Sequence, residues 1–550
     1  MNSYLLYPGK EWENIGRYYD YQSITQDLGL NALFSAASKQ VFVKKIGESD
    51  PFILDTMKKV MIVPLETEEE ILYRQKILRD CLNNEEFIVD LYECSKKILL
   101  DWNKLGRKAS NKAGKRNTMA GLLEEIQVLS LFVKGLCRIK ELCREYKYNL
   151  QSQGFLAFIV RLNEYFSDEK EKQLKKVLQD ISFFLDDGEE GEMRTVNSPK
   201  IVFECGIQEG LKFDDFKLEE VSSKVVKYRG PKNPILSVQK IINSLTPDST
   251  SSQGSRAMDE QIASLEFAVV SYIAASCSPF INLFSNFFDQ LYFQTAFYRG
   301  AVNLEHHMAR FRIEGCFPKV GKKDELSFDE LKEFVMCMEQ RVNAVGNTCY
   351  IKDKMLLIVT GANQGGKSTF LRSIGIAQIM FQCGLKVAAK YFCSGIFPSL
   401  FTHFTRREDS EMNSGRLDEE LGRMNQIIDH LGKNSMILLN ESFATTTEKE
   451  GSVIAYDIIK ALLEADVKIL TVTHLLSFAQ RVYEETKEDN TSKVAFLSAQ
   501  RMEDGRRTFK MIQHVPELTS FGLDLYEQII MSENDKTDYK PFSNRKPLRR

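Results

Sequence analysis

The stretch MLLIVTGANQGGKSTFLRS, Met355 to Ser373, decides how this 550-residue chain is read. Its first residues, Met355 to Val359, form an unbroken apolar run of strand length, as a strand covered on both faces requires. The run enters Gly361–Ser368, which fits G-x-x-x-x-G-K-S, and Phe370, Ile374, Ala377 and Phe381 then recur at helical spacing before Gly384. Glycines at 361, 365 and 366 let the backbone wrap closely, so that its N–H groups and a helix N-terminus face an anion. Lys367 would neutralise the β- and γ-phosphates of a nucleotide, and Ser368 would offer its hydroxyl to magnesium. The predicted nucleotide contacts are Gly361, Ala362, Asn363, Gln364, Gly365, Gly366, Lys367, Ser368 and Thr369, with ATP and Mg2+ as the expected ligands.

Two more apolar runs follow in the order a phosphate-loop ATPase needs. SMILLNES ends in Asn440-Glu441, where such enzymes usually carry Asp then Glu. Asn440 can accept a bond from a magnesium-bound water but brings no charge, which weakens metal binding and slows turnover, while Glu441 remains able to orient or deprotonate the attacking water. The metal-side candidates are thus Ser368, Asn440 and Glu441. KILTVT leads into His474, placed where ABC-type ATPases have a histidine that senses the γ-phosphate, so Glu441 and His474 are the predicted catalytic pair.

Outward from this region the texture changes. Beyond Asn343 strands, glycine loops and helices alternate, as in an α/β domain on a largely parallel sheet. Before it, from about Thr25 to Leu185, apolar residues recur three and four apart, as in EEILYRQKILRDCL (Glu69 to Leu82). A basic interruption, NKLGRKASNKAGKR (Asn103 to Arg116), is either a phosphate contact or a solvated loop. β-prone runs lie near 198–230, SLTPDSTSSQGS (Ser244 to Ser255) reads as a link, and helical spacing returns from Met258 to about Arg310. Phe328-Asp329-Glu330, in LSFDELKEF, is taken as the start of a helix.

The totals set limits. Hydrophobic residues at 43% and charged residues at 27% fit a soluble globular protein, and the length implies several domains. No run approaches the roughly 18 apolar residues that span a bilayer, and the start lacks a leader pattern, so a cytoplasmic protein with no membrane partner is expected. Eleven cysteines without a CxxC pair suggest neither a disulfide framework nor a zinc site. A net charge of -3 gives no global attraction to nucleic acid, so DNA contacts would have to be local basic patches.

With these elements together, the sequence resembles the MutS family of DNA mismatch-repair ATPases in TGANQGGKSTFLRS, NESFATTTEKEGSVIA, VTHLLSFA and SFGLDLYEQI. DSEMNSGRLDEELGRM (Asp409 to Met424) looks like the family's signature segment, in which a serine, matched by Ser414, reaches the partner's nucleotide; it departs from the transporter LSGGQ pattern. PLETEEEILYRQKILRDCL and NFFDQLYFQTAFYRGAV are similar to the family's core and lever helices. The resemblance implies a mostly helical core, lever and clamp-like region over 1–342 with a small β insertion near 198–230. A P-loop, ABC-type α/β ATPase and dimerisation domain would follow over 343–531, and a basic tail over 532–550. It further implies a homodimeric clamp on duplex DNA gated by ATP, with the mismatch-reading N-terminal domains and a nuclease tail absent. The alternative is a nucleotide-gated scaffold that does not hydrolyse, as the uncharged Asn440 would allow.

Overall fold

The computed structural model describes residues 3–10, 18, 20–41, 46–110, 119–181, 194–208, 212–228, 254–405, 415–489, 491–502 and 506–516. Contacts divide the chain into two compact units, Met1–Trp12 with Lys76–Val302, and Glu13–Gln75 with Asn303–Arg550. The expected 1–342 region is therefore split, because the segment Glu13–Gln75 finds its apolar partners in the C-terminal unit.

The first unit is helical, with helices Glu85–Ser110, Met119–Tyr146, Gln153–Tyr165 and Asp168–Ile181 and most of the long helix Gly254–Arg310. Their shared core is aromatic: Phe132 stacks on Phe288 at 5.6 Å, and Phe158 on Phe287 at 6.3 Å. Burying a carboxylate is costly unless it is fully hydrogen-bonded. Asp80 meets that condition by accepting from Gln151 N and Ser152 N, which fixes the start of the helix Gln153–Tyr165. The buried Lys140 pairs with Glu171 and donates to the Phe166 carbonyl. An antiparallel ribbon pairs Arg194–Gln208 with Lys212–Tyr228, in the region where β-prone runs were read. Among the described residues no helix is long and apolar enough to cross a membrane.

The second unit is built on a six-stranded sheet: β1 (Leu356–Thr360), β2 (Leu400–Phe404), β3 (Met436–Asn440), β4 (Lys468–Val472), β5 (Val494–Arg501) and β6 (Arg507–Gln513). The order is β2-β3-β4-β1-β5-β6, parallel except for the β5–β6 pair. β1, β2 and β4 are buried at every position, the pattern of parallel strands covered on both faces. A smaller four-stranded sheet joins Lys319–Val320, Tyr391–Ser394, Leu326–Leu331 and Asn347–Ile351. Phe328-Asp329-Glu330 thus lies in a strand, correcting the helical reading. The helix begins only at Phe334, capped by the Glu333 carboxylate, because LSFDEL pairs with strands on both sides.

The helix Lys367–Gln382 is buried nearly all round, not on one face alone. The sheet covers one side and residues of Glu13–Gln75 cover another: Arg372 Nε donates to the Asp27 carbonyl, Leu65 N donates to the Gln382 carbonyl, and Leu28 packs at Gly375. The helix ends as predicted, with Gly384 in the left-handed conformation just past its C-terminus.

Candidate active site

The strand order brings the separate motifs to one edge of the sheet. β1 sits beside β4, and β4 beside β3, so the loop after β1, Glu441 after β3 and His474 after β4 all leave from the same carboxyl edge. This is where open α/β sheets place their ligands.

After β1, Gly361 takes φ 111°, and a Cβ there would lie 2.9 Å from Ala499 N, so only glycine fits. Gly366, at φ 89°, caps the helix Lys367–Gln382, leaving the first helical N–H groups directed at the loop. Lys367 Nζ donates to the carbonyls of Gly361 and Ala362 at 2.9 and 3.0 Å. Gln364 Oε1 accepts from Arg507 Nη1 at 2.8 Å, which ties the loop tip to β6.

Opposite the loop, His474 Nε2 lies 3.0 Å from Glu441 Oε1. A carboxylate only accepts, so Nε2 carries the proton. This bond is the main reason the Glu441 carboxyl sits below its ordinary range, and the Lys367 ammonium adds to it against the opposing effect of burial. Burial brings the Lys367 ammonium down to about 8, with the Glu441 carboxylate pulling the other way.

A cavity of ≈ 430 Å³ runs from Gln364–Phe370 and Glu441 to Met336, Val342, Ala344, Val345 and Phe509. One end offers backbone N–H groups, a hydroxyl and a cation; the other is apolar. These apolar residues escaped the sequence reading because they come from a short helix, a turn and an edge strand, none with a motif of its own. Asn347 joins two of these pieces, donating to the Phe509 carbonyl and accepting from Met511 N.

Of the predicted residues, Gly361 to Thr369, Glu441 and His474 come together here. Asn440 ends β3, and its Oδ1 is buried with no hydrogen-bond partner. A hard oxygen donor in that state suits a magnesium-bound water. Among the described residues no group of three His, Cys, Asp or Glu side chains could hold a metal ion. Ser414 lies outside the described residues.

Lys367 sets a pH dependence. Its ammonium is charged below pH 8 and is lost as pH rises through about 8; an opposite charge favours the charged form, so a phosphate bound beside it would raise that value again. Nucleotide binding then takes up a proton, and affinity should fall by about tenfold per unit above pH 8 until the free lysine range is reached. Calorimetric titration of ATP between pH 7 and 10, in buffers of different ionisation heat, measures this; an affinity flat across that range would contradict it.

Two family models match the chain. Residues 357–534 match MutS domain V, the ATPase domain of its family, and residues 66–311 match the MutS2 N-terminal domain. The second unit thus contains a segment similar to the ATPase domain of MutS-type proteins, and the two matches together are consistent with a MutS-family protein. It is 30% identical over 187 residues to MutS protein homolog 4 of Mus musculus, covering 33% of this chain and 20% of that protein. Over 133 residues it is 34% identical to the Homo sapiens protein of that name, covering 24% of this chain and 14% of the other. It is also 28% identical over 193 residues to Endonuclease MutS2 of Streptococcus pneumoniae, covering 34% of this chain and 24% of that one. The chain thus spans a quarter or less of each relative's length.

Proposed function

We propose that the second unit is a P-loop ATPase of the ABC type, hydrolysing ATP with Mg2+, and that nucleotide state gates a homodimeric clamp on duplex DNA. The observation that carries this is the 3.0 Å contact of His474 Nε2 with Glu441 Oε1 at the mouth of a glycine loop holding Lys367.

In this reading the base lies against Met336, Val342, Val345 and Phe509, and the phosphates lie on the N–H groups of Gly361 to Thr369. Lys367 neutralises the β- and γ-phosphates; Ser368, Asn440 and Glu441 face the metal side. Bound magnesium supplies charge to offset that building on the phosphate oxygens. Glu441, kept ionised by His474, accepts a proton from the attacking water as the water oxygen bonds to the γ-phosphorus. The bond to the β–γ bridging oxygen breaks, giving ADP and phosphate. His474 contacts the γ-phosphate, and Ser414 reaches the partner's nucleotide. Residues 343–531 are the ATPase and dimerisation domain, grouped in one unit with Glu13–Gln75 and residues 303–342; the remainder of 1–342 is the lever and clamp-like region, and 532–550 a basic tail; the compartment is the cytoplasm.

Asn440 favours a second reading, a scaffold in which ATP holds a dimer closed without turnover. Steady-state phosphate release compared with nucleotide affinity decides between the two: tight binding with no release selects the scaffold.

The DNA part of this reading rests on phosphate contacts. Affinity should fall steeply with salt, each contact adding about 0.9 to the log-log slope. The helix Glu85–Ser110 runs into the basic stretch, whose residues 111–118 lie outside the described residues. Replacing Arg107, Lys108, Lys112, Lys115 and Arg116 by Gln should weaken binding to duplex and flatten that slope, with DNA-free ATPase activity unchanged. Titration of plain, mismatched and branched duplexes with and without ATP is the measurement. Binding to none of them would sink the DNA reading, and an unaltered slope would place the contact elsewhere.

A further inference from the structure

The loop that carries Glu441 leaves β3 in an unfavourable conformation. Glu441 at φ 56° and Phe443 at φ 65° both occupy the left-handed region, where a non-glycine residue persists only if its surroundings impose it. The surroundings are a buried polar cluster contributed by β2 and by the helix Arg416–His430.

Glu420 on that helix is 4% exposed and uses both carboxylate oxygens on the loop. Oε1 accepts from Phe443 N at 3.2 Å and Oε2 from the Thr445 hydroxyl at 2.6 Å. His403 of β2 is wholly buried; its Nε2 faces the Glu420 carbonyl at 3.2 Å, its Nδ1 lies 2.7 Å from Ser442 Oγ, and its ring stacks on Phe443. Nε2, facing a carbonyl, carries a proton. Farther along, Glu448 accepts from Ser477 N and Oγ, three residues past His474. The backbone between Glu441 and Glu448 is therefore held on two sides.

The other inward positions of the helix Arg416–His430 are apolar, Met424 and Ile427, at the spacing of one stripe with Glu420. A leucine would complete that stripe at no desolvation cost, so the carboxylate is accounted for by what it holds.

We infer that Glu420 is a positioning residue for hydrolysis, holding the Ser442–Thr445 turn so that the Glu441 carboxylate stays at His474 and faces the phosphate loop. This rests on the reading of Glu441 as the group that activates water. It also makes the rate depend on the helix that directly follows the segment bearing Ser414.

The test is steady-state phosphate release and fluorescent-nucleotide affinity on the full chain, for Glu420→Gln, Thr445→Val and Thr445→Ser, with Glu441→Gln in parallel. Glu420→Gln offers one acceptor where two are used, and Thr445→Val removes a donor. Both should lower kcat about ten- to a hundredfold with nucleotide affinity unchanged, as displacement of a reacting group does. Thr445→Ser keeps the hydroxyl and should restore the parental rate. If Glu441→Gln is inactive while Glu420→Gln and Thr445→Val turn over like the parent, the inference is wrong. Parallel losses of rate and affinity, unrescued by serine, also overturn it in favour of a merely structural role. Normal turnover in Glu441→Gln would instead remove the parent reading. Should Glu420→Gln not fold, the valine and serine pair at 445 decides alone.

Discussion

Glu441→Gln is expected to bind ATP like the parent and to lose about 10²- to 10⁴-fold in kcat, the usual range for removing a general base. The glutamine oxygen can still accept from His474 Nε2, so the 3.0 Å contact and the loop survive while the group that takes the water proton is lost. ATP then persists in the site, and a closed dimer should accumulate, visible by light scattering or size exclusion. Single-turnover phosphate release is the direct measurement. A parental rate would show that another group activates the water and would leave the hydrogen bond with His474 a structural one.

The second large effect belongs to Lys367→Ala. The lysine is the one side-chain cation within Gly361–Ser368, and its ammonium is buried at the loop carbonyls. Removing a charge-assisted contact to phosphate should cost about 3 kcal/mol or more, on the order of a hundredfold in ATP affinity. Circular dichroism should show the fold retained, since the loop's shape is set by Gly361 and Gly366 and its helix is buried on several sides. A folded variant with parental affinity would remove the basis for calling this a nucleotide site.

The two substitutions also mark what could be read from the residues. Lys367 opens the helix after the glycine loop that follows one apolar strand, and Glu441 directly follows another, so local sequence sets both their backbone setting and their edge of the sheet. His474 was legible for the same reason, third in order after KILTVT. The apolar end of the cavity was not: Met336, Val342 and Phe509 converge only once β6 has paired at the far side of β5 and Asn347 has bridged to it. Glu420 was quoted within the signature segment, but nothing local distinguishes a buried acceptor from the exposed glutamate before it. LSFDEL was misread because six residues can satisfy either a helical or an extended pattern, and two partner strands settle it. The placement of Glu13–Gln75 with the C-terminal unit was equally hidden, since periodicity says that a face is apolar and not what covers it.

The left-handed Glu441 and Phe443 set chemistry against durability. A non-glycine residue held there raises the folded state by about 1–3 kcal/mol, and two of them draw noticeably on the roughly 5–15 kcal/mol that keeps a typical domain folded. Glycine at either position would relieve the strain, but at 441 it would remove the carboxylate, and at 443 the ring that stacks on His403. Substitutions that make this turn easier to fold are thus the ones that unmake the reaction, and heat resistance must come from elsewhere in the unit.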